Sequence, residues 1–385
     1  MSTRLALSLD VSAVPTRPGG AGYYTIALAR GLAARPDVDL ALVARRGDEE
    51  RWREWCGGDA PGRATVHAEV PSSRPARLVF EQAGMAPVLR RLGVDVHHGP
   101  HYTMPSRAPV PCAVTVHDCT FFDHPEWHVR SKVAFFRRAI RRAATRAGVV
   151  VCVSQVTAER LHQVCEVRVP VVVAPHGVDH DRFRAVEPRP GADRAALAAA
   201  GIPLDRPLVA FVGTLEPRKG VVPLVQAFEL VAGADPDVVL VLAGQSGWGM
   251  AETELALGGA RHAERIVRTG YLPDDAVPAL LRQAAAVAYP ALEEGFGLPA
   301  LEALACGAPL VTTEGTAMAE LAGPAALLTA PGDVAGLAEA LRAALDGGRH
   351  TRRRDLGIAV AGERTWEASV ARHLEAYAVA RGASQ

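Results

Sequence analysis

"AAVAYPALEEGFGLPALEALACGAPLVTT", residues 285–313, decides the fold class. "AAVAYP" is a short, continuously apolar run, the pattern of a strand buried on both faces. "LEEGFG" reads as a loop at its carboxyl end. Pro299 suits the first helical position, where its missing N–H costs nothing. "ALEALAC" continues that helix, Gly307 can cap it, and "APLVTT" starts the next strand. Strand, loop, helix and strand in this order make a parallel βαβ unit.

The same alternation runs outward in both directions. Upstream lie "RLALSLDV", the helical "YYTIALARGLAAR", "DLALVAR", "VDVHH", "CAVTVHD", the helical "RSKVAFFRRAIRRAATRAG", "VVVCVS", "TAERLHQVC" and "VPVVVAPHGVD". Residues 183–207, "FRAVEPRPGADRAALAAAGIPLDRP", are rich in Pro, Ala and charge and read as a linker carrying one small helix. The alternation then restarts with "LVAFVG", "VVPLVQAFELVAG", "VVLVLAG", "RIVRTGYL" and "AVPALLRQA", and "AALLTA" and "VAGLAEALRAALD" follow the opening stretch. The expected architecture is α/β: two doubly wound, Rossmann-like halves, residues 1–187 and 188–365, with ligands at the carboxyl ends of the strands and in a cleft between the halves. By pattern alone the final helix, about 366–385, fits either half.

Bulk properties agree with this division. A chain of 385 residues exceeds the ~250–300 at which a single core stops growing. Apolar residues are 49% and charged residues 22%, an ordinary globular balance. Forty-two Lys and Arg match 42 Asp and Glu, so overall charge gives no argument for a nucleic-acid partner. Cys56, Cys112, Cys119, Cys152, Cys165 and Cys306 form no C-x-x-C pair, which points to a reducing, cytoplasmic compartment. No apolar run reaches the ~20 residues of a spanning helix, and "MSTRLALSLDVSAVP" enters a strand pattern instead of a signal peptide.

Five stretches hold residues suited to chemistry. In the first, the amides around Gly297 and Leu298 open a helix and suit a phosphate. Glu302, expected in that helix's first turn, suits vicinal hydroxyls, while Glu294, expected on a flexible rim, suits a sugar. Taken singly, these carboxylates read better as a dipole complement and a solvated side chain, and the glycines and Pro299 between them turn the reading toward a site. In "FVGTLEPRKG", Arg218 and Lys219 follow a strand and can neutralise a diphosphate, Arg by a bidentate contact and Lys as a point charge. In "PTRPGGAGYYTIALARG", Gly19, Gly20 and Gly22 lead into a helix, without the spacing of a dinucleotide fingerprint. His117 and Asp118 end the strand of "VTVHD", where a histidine serves hydroxyl binding, proton transfer or plain packing. The helix 129–147 carries seven basic residues around Phe135, Phe136 and Ile140; it reads as a solvated face or as a peripheral contact with an anionic inner membrane face. The pairs Asp37/Asp39 and Asp179/Asp181 lack further ligands, so no metal is expected.

Together these motifs resemble a known family. "EEGFGLPALEALACGAPLVTT" is similar to the E-x7-E signature of retaining glycosyltransferases of family 4, which have the GT-B fold. "GTLEPRKG" resembles that family's diphosphate motif, "VTVHD" its first-domain histidine and "GGAGYYTIAL" its glycine loop, and "APHGVD", "LAGQSGWG" and "TGYLPDDAVPALLRQA" follow in the expected order. The resemblance covers nearly the whole chain. It implies transfer of a hexose from a nucleoside-diphosphate sugar to an acceptor hydroxyl with retention, without metal or other cofactor. Glu302 would bind the ribose, Glu294 the donor sugar, and Arg218 and Lys219 the diphosphate. Gly213, Gly295, Phe296, Gly297 and Leu298 would line the donor, with Leu272 beside the base and Gly22 facing the phosphates from the first domain. His117 would approach the reaction centre, and the final helix would pack back on the first domain. Thr214 stands where many relatives carry Arg. That variant resembles bacterial mannosyltransferases acting on O-antigen-like chains and favours GDP-mannose over a UDP-sugar. The alternatives are an epimerase or phosphorylase of the same fold, or a non-catalytic relative; a phosphorylase needs a pyridoxal-bearing lysine that nothing here marks. The acceptor, a glycan, lipid-linked sugar or small molecule, is not encoded legibly.

Overall fold

The computed structural model describes residues 4–57, 64–346 and 351–382. The chain divides into two units, Met1–Gly177 with Trp366–Gln385, and Val178–Thr365. Both are α/β units with wholly parallel sheets.

Unit 1 holds β1 (Leu5–Asp10), β2 (Val38–Arg45), β3 (Ala64–Val70), β4 (Val96–Gly99), β5 (Cys112–Val116), β6 (Val149–Cys152) and β7 (Val171–Val173), in the spatial order β3-β2-β1-β4-β5-β6-β7. A parallel sheet must be covered on both faces, and alternate residues of each strand serve the two covers. Leu7, Leu9, Leu40 and Leu42 meet Tyr24, Leu28 and Leu32 of the helix Gly20–Ala33, together with Val370, Ala376, Tyr377 and Ala380 of the helix Trp366–Gly382. The opposite face packs Ala41 and Val43 on Met85 and Leu89, and Val114, Val116 and Val150 on Ile140 and Ala143 of the helix Arg130–Arg146.

Unit 2 holds β8 (Leu208–Val212), β9 (Val239–Ala243), β10 (Ile266–Gly270), β11 (Ala286–Tyr289), β12 (Leu310–Thr313) and β13 (Ala326–Thr329), ordered β10-β9-β8-β11-β12-β13. Counted within the unit this is 3-2-1-4-5-6, the doubly wound order.

Three expectations need correction. The division falls after Gly177, not at 187, because the intervening segment is tied to unit 2: Val178 N–H donates to Arg364 O at 2.9 Å and Arg282 Nη1 to Arg184 O at 3.2 Å. The stretch 183–207 is an integral part of the unit and no loose linker. Its helix Ala192–Ala199 buries Leu197, and Asp193 pairs with Arg282 at 2.6 Å, both side chains below a tenth exposed. Finally, β3 has no counterpart in the sequence reading. It is an edge strand, "ATVHAEV", and half-burial leaves it polar residues among the apolar ones.

Candidate functional site

In the doubly wound order, strands β8 and β11 are neighbours whose crossovers run to opposite sides, so the loops after them spread apart at their carboxyl ends. Those two loops carry the cations and the carboxylates singled out above.

After β8 the chain stays extended. Leu215 N–H donates to Gln245 O at 2.9 Å and Leu215 O accepts from Gly247 N–H at 2.8 Å. Pro217, Arg218 and Lys219 then form a 3-10 turn that ends at Gly220. Gly220 has φ +69°, and a Cβ there would lie 2.0 Å from Pro290 O; glycine lets this turn press against the start of the other loop. Leu292 N–H donates to Arg218 O at 2.9 Å, which fixes the two loops to each other.

After β11, the helix Leu298–Ala305 opens from Gly297, whose φ of +90° places it flush against Met318; a Cβ would sit 2.2 Å from Met318 Cγ. The helix closes with Gly307 N–H on Leu304 O and Ala308 N–H on Ala303 O, both 3.0 Å, the two bonds of a Schellman end. Leu298 is the first helical residue, so Pro299 takes the second position, and Glu302 stands beyond the first turn that was expected for it.

Glu294 is not on a solvated rim. Its side chain is 17% exposed and accepts from Lys219 Nζ and from Arg218 Nη1, the latter at 3.3 Å. Arg218 Nε in turn meets Glu216 Oε1 at 2.6 Å. Glu216, Arg218, Glu294 and Lys219 thus form a chain of alternating charge. Burial pushes the Glu294 carboxyl up, but Lys219 and then Arg218 outweigh it and hold the group below the usual carboxylate range. Glu302 behaves oppositely. Burial raises its carboxyl to about 7; Arg182 opposes the shift and Asp179 adds to it. One carboxylate is held ionised and the other is held near half-protonation at neutral pH. A helix N-terminus, two cations and two carboxyls with opposed titration therefore share one edge of unit 2. Gly213, at the end of β8, donates its N–H to Ala243 O at 2.8 Å; Gly295 and Phe296 are buried beside Gly297; and Leu272 is buried in the loop after the edge strand β10.

The remaining candidates lie in unit 1. Gly22 is the third residue of the helix Gly20–Ala33 and is buried, so it belongs to the helix and not to the loop before it. His117 follows β5, is 9% exposed, and donates from Nε2 to Pro100 O at 2.8 Å. It stands edge-on to Tyr24 and near His101 and His176, and burial keeps it below the ordinary histidine range.

Beside it lies a polar network that sequence reading missed. Tyr24 Oη contacts Thr115 Oγ1 and His373 Nε2, and His98 contacts Tyr377 Oη through Nδ1 and Thr115 Oγ1 through Nε2, all at 2.8 Å. His373 Nδ1 lies 2.7 Å from Ser369 O, and a carbonyl only accepts. That one bond fixes every proton for neutral rings. His373 Nε2 accepts from Tyr24, Tyr24 from Thr115, Thr115 from His98 Nε2, and His98 Nδ1 from Tyr377. Burial keeps His98 and His373 neutral, His373 being lowered to about 4.

The other charged stretches have local explanations. Asp37 pairs with Arg35, Asp39 with Arg4, and Asp179 Oδ1 accepts the backbone N–H of Asp181 and Arg182. Among the described residues no three His, Cys, Asp or Glu are grouped to hold a metal ion, none of the cysteines is bridged, and no helix is long and apolar enough to cross a membrane. The basic helix covers Arg130–Arg146. Arg137 donates to Phe121 O and Arg142 to Pro105 O, while Arg130, Arg138, Arg141 and, at the helix end, Arg146 are exposed.

Comparison with known proteins places these units among sugar-transferring enzymes. Residues 193–359 match the model for "Glycosyl transferases group 1", and residues 18–182 that for "Glycosyltransferase Family 4". O-antigen chain mannosyltransferase B of Escherichia coli is 30% identical over 288 residues, 73% of this chain and 74% of that protein. Sucrose-phosphate synthase from Thermosynechococcus elongatus superposes with a TM-score of 0.77 at 19% identity, over 97% of this chain and 98% of its own. The Anabaena protein HepE in complex with UDP-glucose superposes with a TM-score of 0.75 at 19% identity, over 97% and 100%. These superpositions identify the GT-B fold.

Proposed function

The chain belongs to glycosyltransferase family 4, and we propose that it moves a hexose from a nucleoside-diphosphate sugar to an acceptor hydroxyl with retention and without a metal. The observation that carries this reading is the meeting of Arg218, Lys219 and the Leu298–Ala305 helix start at the carboxyl ends of the adjacent strands β8 and β11. In the reaction the acceptor oxygen bonds to the anomeric carbon while the bond from that carbon to the diphosphate breaks. The diphosphate leaves with the electron pair, and the acceptor's proton passes to the departing phosphate or to solvent. Negative charge grows on the leaving group, where Arg218, Lys219 and the helix-end amides of Gly297 and Leu298 stabilise it.

Glu294 then exchanges its hold on the cations for the donor sugar's hydroxyls, and Glu302 binds the ribose. Its raised titration suits this, since burial has already removed water from the carboxyl and ribose hydroxyls would supply the hydrogen bonds it lacks. Within unit 2, Gly213, Gly295 and Phe296 line the donor and Leu272 flanks the base; in unit 1 we assign Gly22 to phosphate binding and His117 to the sugar. The likeness to an O-antigen mannosyltransferase supports a mannosyl donor.

A thermal-shift panel of GDP, UDP and ADP tests the donor site, because a ligand that binds only the folded state raises Tm. GDP is expected to give the largest rise; a panel without any rise overturns the proposal. Peripheral attachment to an anionic membrane through Arg130, Arg138 and Arg141, beside the exposed Val129, is supported by their shared exposed side. Vesicles rich in phosphatidylglycerol are expected to sediment the protein at low salt and release it at high salt; no sedimentation at low salt removes this part.

A further inference from the structure

Glu216 has no role in the reading so far, yet it is the best-buried member of the charge chain, at 8% exposure. Its placement is puzzling on electrostatic grounds. A second carboxylate beside Arg218 weakens a site proposed to bind an anion, and a half-buried ion pair adds little net stability.

Geometry supplies a reason. The Glu216 backbone is locked between the Leu215 bridge and the turn it begins, with its carbonyl accepting Lys219 N–H at 3.0 Å. Its carboxylate reaches Arg218 at Nε, the nitrogen at the rear of the guanidinium, at 2.6 Å. The forward Nη1 meets Glu294 at 3.3 Å. Held from behind, the planar group keeps one orientation, with its forward edge at the place proposed for the diphosphate. An unanchored arginine would have to reorient as charge develops on the leaving group, and a group already held in place meets that charge without reorganising.

We propose that Glu216 is a positioning residue that orients Arg218 toward the departing diphosphate. This rests on the donor-site reading above. A positioning role and a binding role separate in experiment, because deleting Glu216 also removes a negative charge from the site. Binding of a nucleoside diphosphate is then kept or strengthened while turnover falls.

The assay is the hydrolysis of GDP-mannose and of UDP-glucose with water as acceptor, read as released GDP or UDP, beside the Tm shift that GDP or UDP produces. Glu216→Ala is expected to lower kcat by about 10- to 100-fold, the range for a misplaced catalytic group, with KM and the nucleotide-induced Tm shift unchanged or improved. Glu216→Gln keeps an oxygen that accepts from Nε and is expected to recover most of kcat. Unchanged kcat in Glu216→Ala overturns the role. So does a fall in kcat that is accompanied by loss of the nucleotide shift and not recovered by Glu216→Gln, which marks general damage. If wild-type protein shows no nucleotide shift, the donor-site reading itself has failed; a wild-type shift with normal turnover in Glu216→Ala removes only the role of Glu216.

Discussion

The two units bury polar groups in opposite ways. In unit 1, Tyr24, His98, Thr115, His373 and Tyr377 are fully buried and neutral, and each donor has a single acceptor. In unit 2, Glu216, Arg218, Glu294 and Lys219 alternate in sign, all but Glu216 partly exposed, and Glu294 serves two cations at once. A neutral network in which each donor has its acceptor has one arrangement and resists change. A charge chain of net zero can re-pair when an anion enters, because its members keep access to water. The difference teaches where rigidity and exchange are placed: the neutral network fastens a helix, and the charge chain awaits a ligand.

The largest test of this contrast is Lys219→Ala. It is expected to reduce donor turnover by about 100- to 1,000-fold, as loss of one stabilising group does, yet to move Tm by only about 3 °C or less, because partly exposed ion pairs contribute ~0–1 kcal/mol. A collapse of Tm would mean that the chain is structural after all. Tyr377→Phe probes the other side. It orphans the buried His98 Nδ1 at a cost of about 1–3 kcal/mol, which lowers Tm by roughly 3–10 °C, while turnover of the folded protein stays within about two-fold. Reduced turnover at full stability would break the division.

Acid sharpens the comparison further. His98 and His373 have folded pKa values depressed by burial, so between about pH 6.5 and 4 the unfolded chain binds more protons than the folded one. Stability from the neutral network is therefore complete at neutral pH and is lost as pH falls through that window. Tm measured from pH 7.5 to 5 is expected to drop, and to drop less in His373→Gln; equal slopes would show that the network does not titrate. Glu302 has the reverse sign. Its folded pKa of about 7 lies above the unfolded value, so the stability it contributes is present at low pH and is lost as pH rises through 7. Glu302→Gln is expected to raise Tm slightly at pH 8 and to shrink the nucleotide-induced shift; a lower Tm at pH 8 would refute the assigned environment.

Much of this was legible in the sequence, for reasons that differ by residue. The continuous Val and Leu runs named all but one of the strands, since parallel sheets bury both faces; β3 escaped because an edge strand keeps polar residues. The loop after β11 announced itself through Gly297 and Pro299, residues chosen for backbone geometry. Glu216 was written in the same motif as Arg218 but carries no sign of burial, which only the extended path through Leu215 reveals. The neutral network was beyond reach, because Tyr24 and His373 are 349 positions apart and neither alone departs from ordinary core chemistry.

The route of the chain has a consequence during synthesis. Unit 2 is threaded between two pieces of unit 1, whose last helix spans Trp366–Gly382. All of unit 2 leaves the ribosome while unit 1 still lacks the donors and acceptors of His373 and Tyr377. The order of completion is thus the reverse of the order of translation: the second unit has its whole sequence available first, and the nascent first unit waits with His98 Nδ1 and the Tyr24 hydroxyl proton unmatched until the final helix arrives to close it.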